Sequence, residues 1–184
     1  MSLGSPWDAS AERGDAANSQ AFLATHRGQA AFAREYARLV SAILADVGMM
    51  TRGDAGLAPV IRQSPERCIV QLGPVAMTMV WLRKGAEATA NGELLLMMWK
   101  GTIAPRSGDP TEYNARRRTV VAPVILSEET FVAFAVSETQ WTWRSGATGA
   151  DGLSSTMLAE QAVRRLVALH QDESATAEPS LPVA

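Results

Sequence analysis

The sequence contains one cysteine, Cys68, and two histidines, His26 and His170, set near opposite ends. A single thiol excludes an intrachain disulfide and a cysteine-cluster zinc site. Neither histidine stands in an HExxH pattern or beside closely spaced carboxylates, so no metal motif is present. A GxSxG elbow, a Walker loop and a GxGxxG run are also missing, which removes the common nucleophile and nucleotide signatures. No apolar run approaches the roughly 18 residues that a membrane-spanning helix needs. Positive charge is not in surplus: 17 Lys and Arg against 19 Asp and Glu give a net charge of −2. A nucleic-acid or anionic-membrane surface would call for a basic excess, so neither partner is expected. The opening Met1-Ser2-Leu3-Gly4-Ser5-Pro6 has neither the basic nor the apolar region of a secretory signal, and its Met1-Ser2-Leu3 followed by Gly4 resembles a cloning scar. A cytoplasmic location is the expectation.

What the sequence does have is two strand-like runs that are apolar on both faces. Val75, Met77, Met79 and Trp81 alternate with Ala76, Thr78, Val80 and Leu82, and Leu94 to Trp99 holds no polar residue. Side chains alternate across a strand, and a sheet wetted on one face alternates apolar with polar. Both faces of this sheet are therefore expected to be covered. With these two runs included, strands are predicted at 60–62, 67–72, 75–84, 93–101, 119–126 and 131–144, where Phe, Val and Trp favour strand over a short helix after Ser127-Glu128-Glu129. Gly73-Pro74 signals a turn, either joining two strands as a tight hairpin or marking a bulge. A two-residue turn at Asn91-Gly92 would set Arg83 opposite Lys100, so a wider loop over about 85–92 is expected.

A long helix is predicted over 19–47 from the 3–4 spacing of Phe32, Tyr36, Leu39, Val40, Ile43, Leu44 and Val47. Arg34, Glu35, Arg38 and Asp46 fall between them. Asn18 or Ser19 caps its start, Gly28 is a weak point, and Gly48 suits the left-handed residue past its end. Such a helix exceeds what a small sheet needs, leaving its N-terminal half free to reach a neighbour. A second helix, capped by Ser154 or Ser155, is predicted to run to about Gln171 along Leu158, Ala162, Leu166 and Leu169, with His170 in its last turn. Residues 1–17 and 172–184 read as flexible tails around one domain over 18–171. Strands clustered between two terminal helices indicate an α+β fold: an antiparallel sheet of five or six strands with both helices packed on it.

Two constellations stand out as candidate sites. The stretch from Gly101 to Arg118 is long for a connection and carries Arg106, Tyr113, Arg116, Arg117 and Arg118, suited to an acidic ligand or partner. Trp141 and Trp143 share one strand face with Ser137 and Thr139, opposite Glu138, Gln140, Thr142 and Arg144. With Met77, Met79, Met97 and Met98 nearby in the sheet, they suit a core or an apolar pocket. Converging titratable groups for general acid–base work are scarce, Glu138 with Arg144 and Glu112 with Tyr113 being the nearest, so no catalytic set, metal or cofactor is expected. The functional expectation is a non-enzymatic protein-interaction module that forms a homodimer. The alternative is a small-molecule binding protein with a Trp- and Met-lined pocket between sheet and helix, the Arg-bearing loop at its mouth.

Overall fold

Six strands form one antiparallel sheet in chain order: β1 (Val60–Ser64), β2 (Arg67–Leu72), β3 (Val75–Leu82), β4 (Glu93–Lys100), β5 (Val124–Ala135) and β6 (Trp141–Ser145). Helices α1 (His26–Met50) and α2 (Ser155–Ala177) flank it in sequence, which is the predicted α+β architecture. The computed structural model describes residues 17–52, 58–82, 93–104, 122–137, 139–146 and 152–177.

Tight turns set the register at one end of the sheet. Gly73 adopts a φ of +54°, which the first central position of a primed two-residue turn demands, and Leu72 pairs with Val75 across it. Beneath the turn lies Gln71, a buried polar residue of β2. Its side-chain nitrogen donates toward the carbonyls of Gly73, Val75 and Gly101 at 2.8, 3.0 and 3.1 Å. Its oxygen accepts from the N–H groups of Ile103 and Ala104 at 2.9 and 3.3 Å, tying the exit of β4 to the turn. Between β3 and β4 the last pair is Leu82 with Glu93, and Lys100 faces Val75 rather than Arg83. This register excludes a two-residue turn at Asn91-Gly92, and the expected loop over about 85–92 lies outside the described residues.

The last two strands differ from the sequence expectation. β5 runs straight through Ser127-Glu128-Glu129-Thr130, and the segment 136–140 is the turn into β6. The two glutamates are accommodated in β5 because each has an outlet. Glu128 is exposed, and Glu129 pairs with Arg165 of α2. The turn is held by Ser137, whose hydroxyl accepts from the Gln140 N–H at 3.1 Å, and by the Val136 N–H bonded to the Gln140 carbonyl at 2.9 Å. A slip in register between Met98 and Trp99 inserts Leu126 as an extra residue in β5.

The predicted first helix is broken. Residues 17–23 are helical, the chain bends at 24–25, and Thr25 caps α1 by accepting the Gly28 N–H at 3.0 Å. Gly28 allows the break to close: a Cβ there would lie 2.0 Å from the Phe22 carbonyl oxygen. The N-terminal half of α1 does not reach outward. It buries Gly28, Ala31, Phe32, Glu35 and Tyr36. Gly48 is within the helix, and the cap is Thr51.

Helix α2 starts where expected, with Ser154 accepting the Met157 N–H at 3.2 Å. It continues to Ala177, past the expected end at Gln171, and Glu173 reaches Lys100 of β4 at 2.6 Å. His170 therefore lies inside the helix, its Nδ1 3.2 Å from the Leu72 carbonyl at the Gly73 turn.

Both helices pack on one face of the sheet. Cys68, Val70, Leu72, Val75, Met77, Met79, Trp81, Leu94, Leu96, Met98, Phe131, Ala133, Trp141 and Trp143 belong to the same buried cluster as the apolar faces of α1 and α2. Phe32 of α1 is its aromatic hub, with ring centroids 4.4 Å from Trp81, 6.0 Å from Trp141 and 5.9 Å from Trp143.

Candidate functional site

The tryptophans singled out from the sequence lie in the helix–sheet core. Trp141 is 5% and Trp143 1% exposed, and their rings lie against Phe32 and, for Trp141, Phe22. Their supposed strand companions Ser137 and Thr139 belong to the β5–β6 turn, and Glu138 lies outside the described residues. Met77, Met79 and Met98 are likewise fully buried among these rings and the helices, whereas Met97 faces the other way. Arg106, Tyr113, Arg116, Arg117 and Arg118 lie outside the described residues. Arg144 lies with its guanidinium carbon 4.0 Å over the Phe134 ring.

A buried polar relay is the feature that sequence periodicity missed. Glu35 was placed among the polar positions of the first helix, yet it is 5% exposed. The indole N–H of Trp143 donates to the Ser155 hydroxyl at 2.8 Å, which donates to Glu35 Oε1 at 2.5 Å. Arg38 covers the other oxygen at 2.7 Å. The relay joins α1, β6 and α2, and every member has a partner, as a buried polar network requires. Its chemistry is structural, because the Ser155 oxygen is enclosed and already committed on both sides. The Cys68 thiol is similarly withdrawn, pushed up to about 11 by burial, so it stays protonated near neutral pH. Among the described residues, no three His, Cys, Asp or Glu side chains gather to hold a metal, and no helix is long and apolar enough to cross a membrane.

The opposite face of the sheet is the surface that remains. Alternation turns Ile69, Val80, Leu82, Leu95, Met97, Trp99, Val132 and Phe134 away from the helices, and all are half-buried. None belongs to the helix-side cluster or packs against it. Among the described residues no helix lies on this face, and both helices take the other one. On the same face Ala76 and Thr78 are fully buried. Two polar atoms here, Thr78 Oγ1 and Trp99 Nε1, are buried without a hydrogen-bond partner among the described residues. Charged residues stand around the apolar field: Arg62 and Arg67 on one side, and Glu93 and Glu128 on the other. The sequence signalled this face through the unbroken apolar run of Leu94 to Trp99, but not which of its two sides the helices would take.

A second, smaller apolar surface lies where α1 ends beside the start of α2. Met49, Met50, Thr156 and Val163 line a groove of about 270 Å³, edged by Asp46 and the Glu160–Arg164 ion pair. Met49 and Met50 are 60% and 45% exposed, so it is the C-terminal end of α1, not its N-terminal half, that offers free apolar surface.

No protein-family model matches the chain, and no curated protein or solved structure matches it significantly.

Proposed function

We propose that this chain is a non-enzymatic protein-interaction module that forms a homodimer through the helix-free face of its sheet. The observation that carries this reading is the apolar layer of Ile69, Val80, Leu82, Leu95, Met97, Trp99, Val132 and Phe134 on a face with no helix against it among the described residues. Contiguous apolar surface of this kind, rimmed by charge, marks association sites in soluble proteins. Its size fits. Six strands at about 4.8 Å spacing and roughly eight residues of about 3.3 Å rise give a face on the order of 700 Å². A standard interface buries about 800 Å² per partner. Two sheets packed face to face would then form a sandwich with the helices outside.

The test uses adjacent residues on opposite faces of β4. Leu95→Lys places a charge on the proposed interface, where the Lys stem can lie along the sheet and its head can reach water. The parent chain is expected to sediment as a dimer, and Leu95→Lys as a monomer that still melts cooperatively. A parent chain that is strictly monomeric at high concentration overturns the reading.

A further inference from the structure

The methionines of this chain fall into sharply different surroundings. Met77, Met79 and Met98 are each 1% exposed and belong to the helix–sheet core, while Met97 is half-buried. Met49 and Met50, in the last turn of α1, and Met157, in the first turn of α2, are all exposed. None of these three belongs to the core cluster or packs against it. The fold brings the two helix ends together: Met49 and Met50 line the groove with Val163 and with Thr156, the residue before Met157. Three accessible thioethers therefore stand at one corner of the molecule. The single thiol is placed in the opposite way, since Cys68 is 1% exposed and lies in the core.

We propose that the corner where α1 ends beside the start of α2 is a peroxide modification site, at which Met49, Met50 and Met157 become methionine sulfoxide in the folded protein while Cys68 is spared. The oxidant is hydrogen peroxide. A sulfur lone pair attacks one peroxide oxygen, the S–O bond forms as the O–O bond breaks, and the departing hydroxide takes the proton of the transferred oxygen and leaves as water. Sulfur loses two electrons, peroxide gains them, and no further reactant is needed. A free thiolate would ordinarily compete for the oxidant, and susceptibility follows thiolate character and exposure. Cys68 has neither: the core encloses it, and the same burial keeps it protonated near neutral pH. Oxidant reaches the core sulfurs only when the structure opens, whereas the corner needs no opening.

Position decides what the modification does. Sulfoxide formation turns a flexible apolar side chain into a polar one, which disrupts a core. At the corner the new oxygen faces water and no core contact is lost, so the fold survives. The groove changes instead. Met49 and Met50 supply most of its apolar lining, and once they are oxidised Val163 is left among Thr156, Asp46 and the Glu160–Arg164 ion pair. The corner is thereby switched from an apolar to a polar surface without unfolding, and methionine sulfoxide reductases can reverse the change. These residues lie apart from the helix-free sheet face, so the site stands whether or not that face forms a dimer.

Timed exposure of the folded chain to hydrogen peroxide, quenched and mapped by tandem mass spectrometry of its peptides, provides the test. Met49, Met50 and Met157 are expected to gain one oxygen each at least about tenfold faster than Met77, Met79 and Met98. Cys68 is expected to remain a free thiol, alkylated in full once the quenched protein is denatured. In urea the difference between the two sets of methionines is expected to disappear and Cys68 to react, because the fold and not the local sequence makes the distinction. Protein oxidised only at the corner is expected to keep a cooperative melt close to that of the parent. Core methionines oxidised as fast as the corner set, or a preference that persists in urea, would overturn the site. So would oxidation of Cys68 ahead of the corner in the folded chain, or loss of the cooperative melt on corner oxidation alone.

Discussion

Ser155, the first residue of α2, donates its hydroxyl proton at 2.5 Å to the buried carboxylate of Glu35, an α1 residue 120 positions earlier in the chain. The same hydroxyl accepts from the Trp143 indole at 2.8 Å, so one small side chain serves two buried partners on two other elements. Ser155→Ala leaves both without their partner. Each orphaned buried group costs roughly 1–3 kcal/mol, so a loss of about 3 kcal/mol is expected in urea unfolding. Ser154→Ala, next door, removes only a helix cap and is expected to cost about 1 kcal/mol. Equal losses for the two variants would mean that the relay contributes nothing beyond helix initiation.

Two glycines of the N-terminal helical region separate propensity from packing. Alanine at an exposed helix position usually stabilises by up to about 1 kcal/mol over glycine. Gly48 meets that condition, since a Cβ there has no neighbour within 4 Å, so Gly48→Ala is expected to raise the melting temperature. Gly28→Ala is expected to lower it, because the new Cβ would lie 2.0 Å from the Phe22 carbonyl oxygen and 2.9 Å from the Leu23 Cα. Backbone atoms can yield only by moving the 17–23 segment. That segment would lose the bond from the Ala135 N–H to the Ser19 hydroxyl, now 2.9 Å, and hydrogen exchange at Ala135 reports it.

The sheet face taken by the helices defines a third comparison. Met79 and Leu96 point into the helix–sheet core, 1% and 5% exposed, and pair across β3 and β4. Met79→Asp and Leu96→Asp each place an unpaired charge in that core, a recognised cause of very large destabilisation. Loss of the cooperative melt is expected for both, in contrast to Leu95→Lys one residue away. Folded aspartate variants would mean that the assignment of faces is inverted.

How far the sequence could be read follows from the range of the interaction involved. Hydrophobic period and turn chemistry are local, so β2, β3 and β4, the Gly73-Pro74 hairpin and the body of both helices were legible. Charge repulsion between Arg83 and Lys100 was enough to reject a tight turn at Asn91-Gly92, as the pairing of Val75 with Lys100 bears out. What escaped depends on distant partners. Glu129 looks like a strand breaker until Arg165 arrives from α2. Glu35 looks solvated until Ser155 meets it, and Gln71 gives no hint that its amide binds the strand exit at Gly101 to Ala104. Trp141 and Trp143 were legible as apolar anchors, but the ring that fills the space between them and Trp81 comes from Phe32 on α1.

Alkaline pH gives a last measurement, centred on Cys68. Burial pushes its thiol from the ordinary value of 9.0 up to about 11, whereas in the unfolded chain it ionises near the ordinary value. Between those two pH values the unfolded state has released a proton that the folded state still holds. Stability is therefore expected to be level with respect to this group below about pH 9, to fall from there to about pH 11, and to change no further above it. Tyr36, whose phenol is raised by its own burial and then by Cys68 and Glu66, extends the decline to higher pH with the same sign. Urea midpoints at pH 8, 9.5 and 11 measure the slope, and Cys68→Ala is expected to make it shallower over the lower part of that range. The same burial predicts that an alkylating reagent at pH 8 modifies Cys68 only as fast as the protein opens. Modification at the rate of a free thiol, with the melt unchanged, would place Cys68 at the surface and remove the alkaline slope with it.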